Sequence, residues 1–270
     1  MKLILGDNQF FGVNHSNLAK AEAYRHQFSE PAVVESFIKG ARELGVDEIF
    51  VSTHPSADDL VSFCNASNVK IHPAIPYAHA MNDLAAAQGV VRLIVQRFRP
   101  SHTDLFKLIL SYLLGNGLFT PKSTVRRFVN SELNLLGKID NKGTLFLNNV
   151  FTDLIIGAGC IEFFQYFTSV AKELGYKPGF VTYNYNFFQN NKFHDCALCV
   201  NYNLRGFLSP SFDEVQELKK CYEVSVMGVM GSGIYDFDEV LRDLNRLDPF
   251  GVVYGTSRLE RLKKMKEELK

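Results

Sequence analysis

Glu48-Ile49-Phe50-Val51-Ser52-Thr53-His54-Pro55-Ser56-Ala57-Asp58-Asp59 begins as a short apolar run and passes through a turn into a helix start. The run Glu48 to Ser52 reads as a strand covered on both faces, because such a strand is apolar without alternation. Ser56 is a helix-capping residue type, and Asp58 and Asp59 bring negative charge to the positive end of the helix dipole. The helix runs from Ala57 to Ala66, and a second apolar run, Val69 to Ile75, follows at once. A strand, a helix and a strand this closely spaced form a crossover between parallel strands.

The same unit recurs on both sides of this stretch. Further strands are expected at Leu3 to Leu5, Thr144 to Leu147, Gly179 to Tyr183, Ala197 to Tyr202, Val224 to Met227 and Gly251 to Tyr254. Helices fall at Pro31 to Leu44, Ala80 to Phe98, Ile161 to Leu174, Phe212 to Tyr222, Phe237 to Arg246 and Arg258 to Leu269. Pro31 suits a first helical turn, and Gly45 and Gly175 supply stops. Eight such units in about 250 residues match the α/β class of a (β/α)8 TIM barrel, with an open doubly wound sheet as the alternative. One domain over residues 1–270 is expected, since this length is near the limit for a single core. Two places interrupt the spacing. Ser101 to Asn141 holds the apolar Leu105 to Leu114 and the mixed Thr124 to Leu136, a helical insertion between strands three and four. It would serve as a lid, an oligomer contact or a satellite core, which leaves a homo-oligomer open. Phe10 to Ser29 is a long first loop carrying Asn14, His15, Tyr24 and His26.

Composition narrows the class. With 46% apolar and 21% charged residues the chain is neither disordered nor fibrous. Its 29 basic residues balance 29 acidic ones, and the lysines of the C-terminal tail alternate with glutamates, so nucleic acid is not an expected partner. No run approaches the roughly 18 apolar residues of a membrane span, and Asp7 comes too early for a signal peptide. Five scattered cysteines read as reduced thiols, which points to the cytoplasm.

Three segments carry a family likeness. Leu5-Gly6-Asp7-Asn8-Gln9-Phe10-Phe11-Gly12 resembles the Leu-Gly-x-x-x-Phe-Gly opening of the aldo/keto reductases. Val181-Thr182-Tyr183-Asn184 resembles that family's strand ending in Tyr-Asn. Val252-Val253-Tyr254-Gly255-Thr256-Ser257-Arg258-Leu259-Glu260-Arg261-Leu262 resembles its last strand, Gly-Thr-Ser turn and helix. The resemblance implies a (β/α)8 barrel and leaves NADP as a cofactor open. It also implies a proton-transfer tetrad of Asp, Tyr, Lys and His, whose positions are vacant here. Phe50-Val51-Ser52-Thr53-His54-Pro55 lacks the Asp and Tyr, Ile75-Pro76-Tyr77 lacks the Lys, and Leu147-Asn148-Asn149 lacks the His. Standard ketone reduction needs such a donor.

The strand ends themselves offer chemistry. His54 and His79 are the acid/base candidates, with Asp7 to orient one and Tyr77 as a substitute donor. Asn8, Gln9, Asn148, Asn149, Asn184 and Asn186, with Asn201 and Asn203, recur at strand ends and suit a polar uncharged ligand; taken singly, each also suits a turn. Gly231-Ser232-Gly233 and Gly255-Thr256-Ser257-Arg258 would let backbone approach a phosphate or nucleotide. Cys196 and Cys199 near His194 form no metal set, lacking a second pair, and His72 inside its strand reads as structural. Three functions compete: an aldo/keto-reductase-like enzyme using His-based acid/base chemistry on a small, phosphorylated metabolite; a non-catalytic ligand-binding or regulatory barrel; and an NAD(P)-dependent oxidoreductase with Tyr77 as donor.

Overall fold

Eight parallel strands close on themselves in sequence order in the computed structural model, which describes residues 1–14, 17–77 and 122–270. They are β1 (Lys2–Leu5), β2 (Glu48–Ser52), β3 (Lys70–Ile75), β4 (Thr144–Leu147), β5 (Lys177–Thr182), β6 (Ala197–Asn201), β7 (Glu223–Met227) and β8 (Gly251–Tyr254). The seam is the β1–β8 ladder, with Ile4 opposite Val253 and Leu5 opposite Tyr254. The sheet is thus a TIM barrel and not an open sheet.

The helices are α1 (Leu18–Gln27), α2 (Pro31–Glu43), α3 (Ala57–Ala66), α4 (Lys122–Leu133), α5 (Asn149–Gly157), α6 (Ile161–Glu173), α7 (Tyr185–Asn190), α8 (Phe212–Lys219), α9 (Phe237–Leu247) and α10 (Leu259–Glu268). Helices expected at Ala80 to Phe98 and Leu105 to Leu114 lie outside the described residues. The rest of the insertion is helical: α4 and a 3-10 turn, Asn134–Leu136, cover the stretch expected at Thr124 to Leu136. Three helices depart from expectation. Helix α1 occupies what reads as a loop, started by the Asn17 side chain, which accepts the Lys20 amide at 3.0 Å. Helix α5 follows β4 and α7 follows β5; α7, with six residues of which three are aromatic, is too short to declare a period. Nor does Ser56 cap α3 through its hydroxyl; its amide donates instead to His54 Nδ1 at 3.1 Å.

Strand alternation separates two cores. Ile4, Phe50, Ala74, Phe146, Val181, Ala197, Cys199 and Val253 fill the barrel interior, with the Phe50 and Phe146 rings 5.1 Å apart. Gly179 makes room for them: a Cβ there would stand 2.7 Å from Phe146. The outer layer is phenylalanine-rich, with Phe164, Phe180, Phe187, Phe188 and Phe193 in mutual ring contact between β5 and helices α6 and α7. Each such pair adds about 1 kcal/mol beyond burial.

The N-terminal end of the barrel is closed by charge. Glu48 accepts from Lys2 Nζ and His72 Nε2, both at 3.0 Å, with Lys70 at 3.5 Å. His72 Nδ1 accepts the Thr144 amide, so the ring proton sits on Nε2 and points at Glu48. Burial pushes the Glu48 carboxyl up, but the His72 and Lys2 hydrogen bonds and the Lys2 charge outweigh it and hold the pKa at about 2. Among the described residues no helix is long and apolar enough to cross a membrane.

Candidate active site at the C-terminal mouth of the barrel

Residues that follow the strands meet at one end of a barrel. On the β1–β3 side, Asp7 is buried, and its Oδ2 accepts the Ser52 amide at 2.6 Å. The β1–β2 ladder is short, with only Ile4–Glu48 and Leu5–Ile49 in register. The carboxyl takes an amide just beyond the last paired residues. Burial raises its pKa to about 6, against the opposing pull of the Ser52 hydrogen bond. Two residues further along, His54 is half-buried and stacks on Phe11, with ring centroids 4.3 Å apart and planes 14° off parallel. Tyr77 approaches the same imidazole edge-on at 5.0 Å. Between them the Thr53 hydroxyl donates to the buried Glu132 of α4 at 2.7 Å, tying the insertion to the end of β2. His79 and His15 lie outside the described residues.

The β4–β6 side is organised by a residue the sequence gives no reason to notice. Asp153, on α5, accepts the Thr182 hydroxyl at 2.5 Å and the Tyr183 amide at 3.1 Å. Thr182 Oγ1 in turn accepts the Asn184 amide at 2.8 Å. Burial raises the Asp153 pKa despite these donors. Tyr183 lies just beyond the end of β5, two residues after the inward-facing Val181. Burial, then the Asp153 charge and the Cys199 thiol, raise its phenol.

The amides of this side mostly shape loops. The Asn148 side chain caps α5 through the Val150 amide at 3.4 Å, and Asn149 is the first residue of that helix. Asn201 and Asn203 hold the turn that follows β6 by donating to Phe207 O, each at 2.9 Å. That turn presents Phe207, 72% exposed, and Leu208, 54% exposed. Asn184, Asn186 and Asn8 are exposed.

On the β7–β8 side, Gly231, Ser232 and Gly233 form a 3-10 turn in which all three have positive φ. Helix α1 lies across both turns: Lys20 Nζ donates to Ser232 O at 2.9 Å and Gln27 Nε2 to Ser257 O at 2.8 Å. The α10 amino end has Arg258 at the cap position with no side-chain cap, while Thr256 Oγ1 accepts the Arg258 amide. Arg258 is exposed, and Glu260 lies in the same first turn. The buried Gln9 amide sits behind this turn, its Nε2 donating to Gly6 O at 2.6 Å.

The β1–β3 side of this mouth thus carries Asp7, His54 and Tyr77, and the β7–β8 side carries the Gly231–Gly233 turn and Arg258. Among the described residues no group of three or more His, Cys, Asp or Glu side chains could hold a metal. Cys199 faces the barrel interior and Cys196 the outer layer, so the Cys-x-x-Cys pair does not share a face.

No protein-family model matches the sequence, and no curated protein matches it. Solved structures do match in fold. Two chains provisionally named as an aldo-keto reductase of Pseudomonas aeruginosa superpose with TM-scores of 0.63 and 0.60 at 14% and 15% identity. Each alignment covers 99% of this chain and 90% of the other. An aldo-keto reductase from a Medee basin deep-sea metagenome library superposes with a TM-score of 0.52 at 10% identity, covering 89% of this chain and 86% of that one. At such identity the likeness is one of fold: the chain is a TIM barrel with aldo-keto reductase structural neighbours.

Proposed function

We propose that the chain is an aldo/keto-reductase-like barrel enzyme that acts on a small, phosphorylated metabolite by acid/base chemistry on the β1–β3 side of the mouth. The observation that carries this reading is that Asp7, His54 and Tyr77 follow three successive strands, with Tyr77 against the half-buried His54 ring and the buried Asp7 carboxyl pushed up to about 6. His54 is the proton carrier in this scheme. Phe11 and Tyr77 fix its ring, and the Asp7 carboxyl is pushed up to about 6 by burial. The anion would rest on the first turn of α10 and Arg258, since a helix amino end offers amides without intrahelical partners and the exposed Arg258 stands at its cap position. Buried free thiols at Cys64, Cys160, Cys196 and Cys199 suit a cytoplasmic enzyme.

The test is a metabolite screen of the purified protein, with and without NADPH, followed by variants on whatever substrate it finds. His54→Gln should lower kcat about a hundredfold while leaving KM nearly unchanged. Arg258→Ala should act mainly on KM. Full turnover by His54→Gln removes His54 from the mechanism. A parent that turns over nothing, yet binds a metabolite, favours the non-catalytic binding barrel. The exposed Arg258 beside an uncapped helix end also favours a second reading, NADP as hydride carrier with Tyr77 as proton donor. Titration with NADPH separates the two.

A further inference from the structure

Gln9 presents an inconsistency of packing. Its side chain is 1% exposed, and its Nε2 is committed to Gly6 O. That bond fixes the orientation of the amide, because turning it over would set two oxygens against each other. The oxygen Oε1 is left buried with no hydrogen-bond partner. A buried acceptor in this state lowers the stability of the fold and calls for an explanation in its surroundings.

The surroundings include a glycine. Gly255 opens the β8–α10 turn, and a Cβ built on it would stand 3.2 Å from Gln9 Oε1. Among the described residues that oxygen is the single atom within 4 Å of this position, beyond the chain neighbours of Gly255. Gly255 is exposed while Gln9 is buried, so the layer over the orphan oxygen at this point is an α-carbon without a side chain. Gly6 keeps the two backbones close, since its own Cβ would lie 3.3 Å from Gly255 Cα. The site is therefore a small cradle with an acceptor at its inner end, next to the amides and the guanidinium of the α10 start.

We propose that the Gln9 amide oxygen, reached beside Gly255, accepts a hydrogen bond from a hydroxyl of the ligand whose phosphate rests on the α10 turn. The inference rests on the anion reading of that turn and adds what else the ligand must carry. An acceptor selects for a donor, so the ligand class is a phosphate bearing a nearby hydroxyl. A phosphorylated polyol and a ribonucleotide share this chemistry.

Calorimetric titration of the whole chain with two matched pairs tests it. Glycerol 3-phosphate is set against propyl phosphate, and AMP against 2′,3′-dideoxy-AMP, with inorganic phosphate as the common reference. The hydroxylated member of one pair should bind about tenfold tighter; the pair that shows the gap identifies the source as polyol or nucleotide. Gln9→Met keeps the length and removes the acceptor, so the gap should fall to about one. Gly255→Ala fills the cradle with Gln9 intact and should close the gap as well. Gly255 has no positive φ, so alanine is conformationally tolerated there. A gap that persists in both variants, or phosphate binding by the parent with no gap in either pair, overturns the Gln9 subsite alone. A parent that binds no phosphate at all overturns the anion site and this inference together.

Discussion

Asp7 shows how one side chain can couple a fold to pH. Its folded pKa, about 6, lies above the ordinary carboxylate value, so the protonated form is the one the fold favours. The stability this contributes is full below about pH 4 and is lost as pH rises through 6. Asp7→Asn removes the titration. Relative to the parent, the variant should therefore gain up to about 3 kcal/mol between pH 4 and pH 8, read by urea unfolding at each pH. Parallel curves would mean that the carboxyl is not desolvated as the geometry indicates. Glu48 works in the opposite sense, since its stabilisation is present above the ordinary value and lost as pH falls through 2. It is common to both proteins and cancels in the comparison. Asp7, His54 and Tyr77 were legible because each follows a strand whose limits were legible. Asp153 was not, since its partner Thr182 lies 29 residues further on and no local spacing encodes that contact. The asparagines were legible as residue types but not as roles: an amide that holds a turn and one that holds a ligand look the same in sequence.

Among the elements, α1 is the one whose existence owes most to its neighbours. Of its ten residues only Ala21 is buried. A free helix of that length is marginal in water, so the bonds from Lys20 to Ser232 O and Gln27 to Ser257 O matter. In a Lys20→Ala/Gln27→Ala double variant, amide exchange across residues 18–27 should quicken about tenfold, with the global unfolding midpoint unmoved. Unchanged protection would locate the hold on α1 elsewhere. The same reasoning explains why α1 escaped the sequence: helices are found by an apolar stripe, and this one has none. Helix α4 shows the contrary case, since Val125, Phe128 and Val129 lie on its buried face and give it a visible period.

For the whole molecule, closure was the most legible property. Apolar runs of strand length, separated by helices with recognisable ends, specify a parallel sheet, and their number specifies closure. What the runs cannot specify is how the interior is filled, because that depends on side chains meeting from strands far apart. Gly179 is the sharpest instance. Gly179→Val would press into Thr144 and Phe146, both under 3 Å from the added Cβ. Overpacking of this kind should lower stability by about 3 kcal/mol, seen as an earlier urea midpoint with an unaltered slope. An unchanged midpoint would imply an interior looser than the Phe50–Phe146 contact allows. The two barrel ends also differ in kind: Lys2, Lys70 and His72 gather around the single carboxylate of Glu48 at one, while the other carries Asp7, whose buried carboxyl is pushed up to about 6.

The stack of Phe11 on His54, with Tyr77 at the ring edge, has an optical consequence. The chain contains no tryptophan, so its intrinsic emission above 300 nm comes from 11 tyrosines. One of these tyrosines touches the imidazole on which the proposed chemistry depends. A tryptophan placed at Phe11 would be the sole indole in the molecule, lying face to face with that imidazole. Its brightness would then report the charge on His54 directly, without a substrate and before any reaction is known.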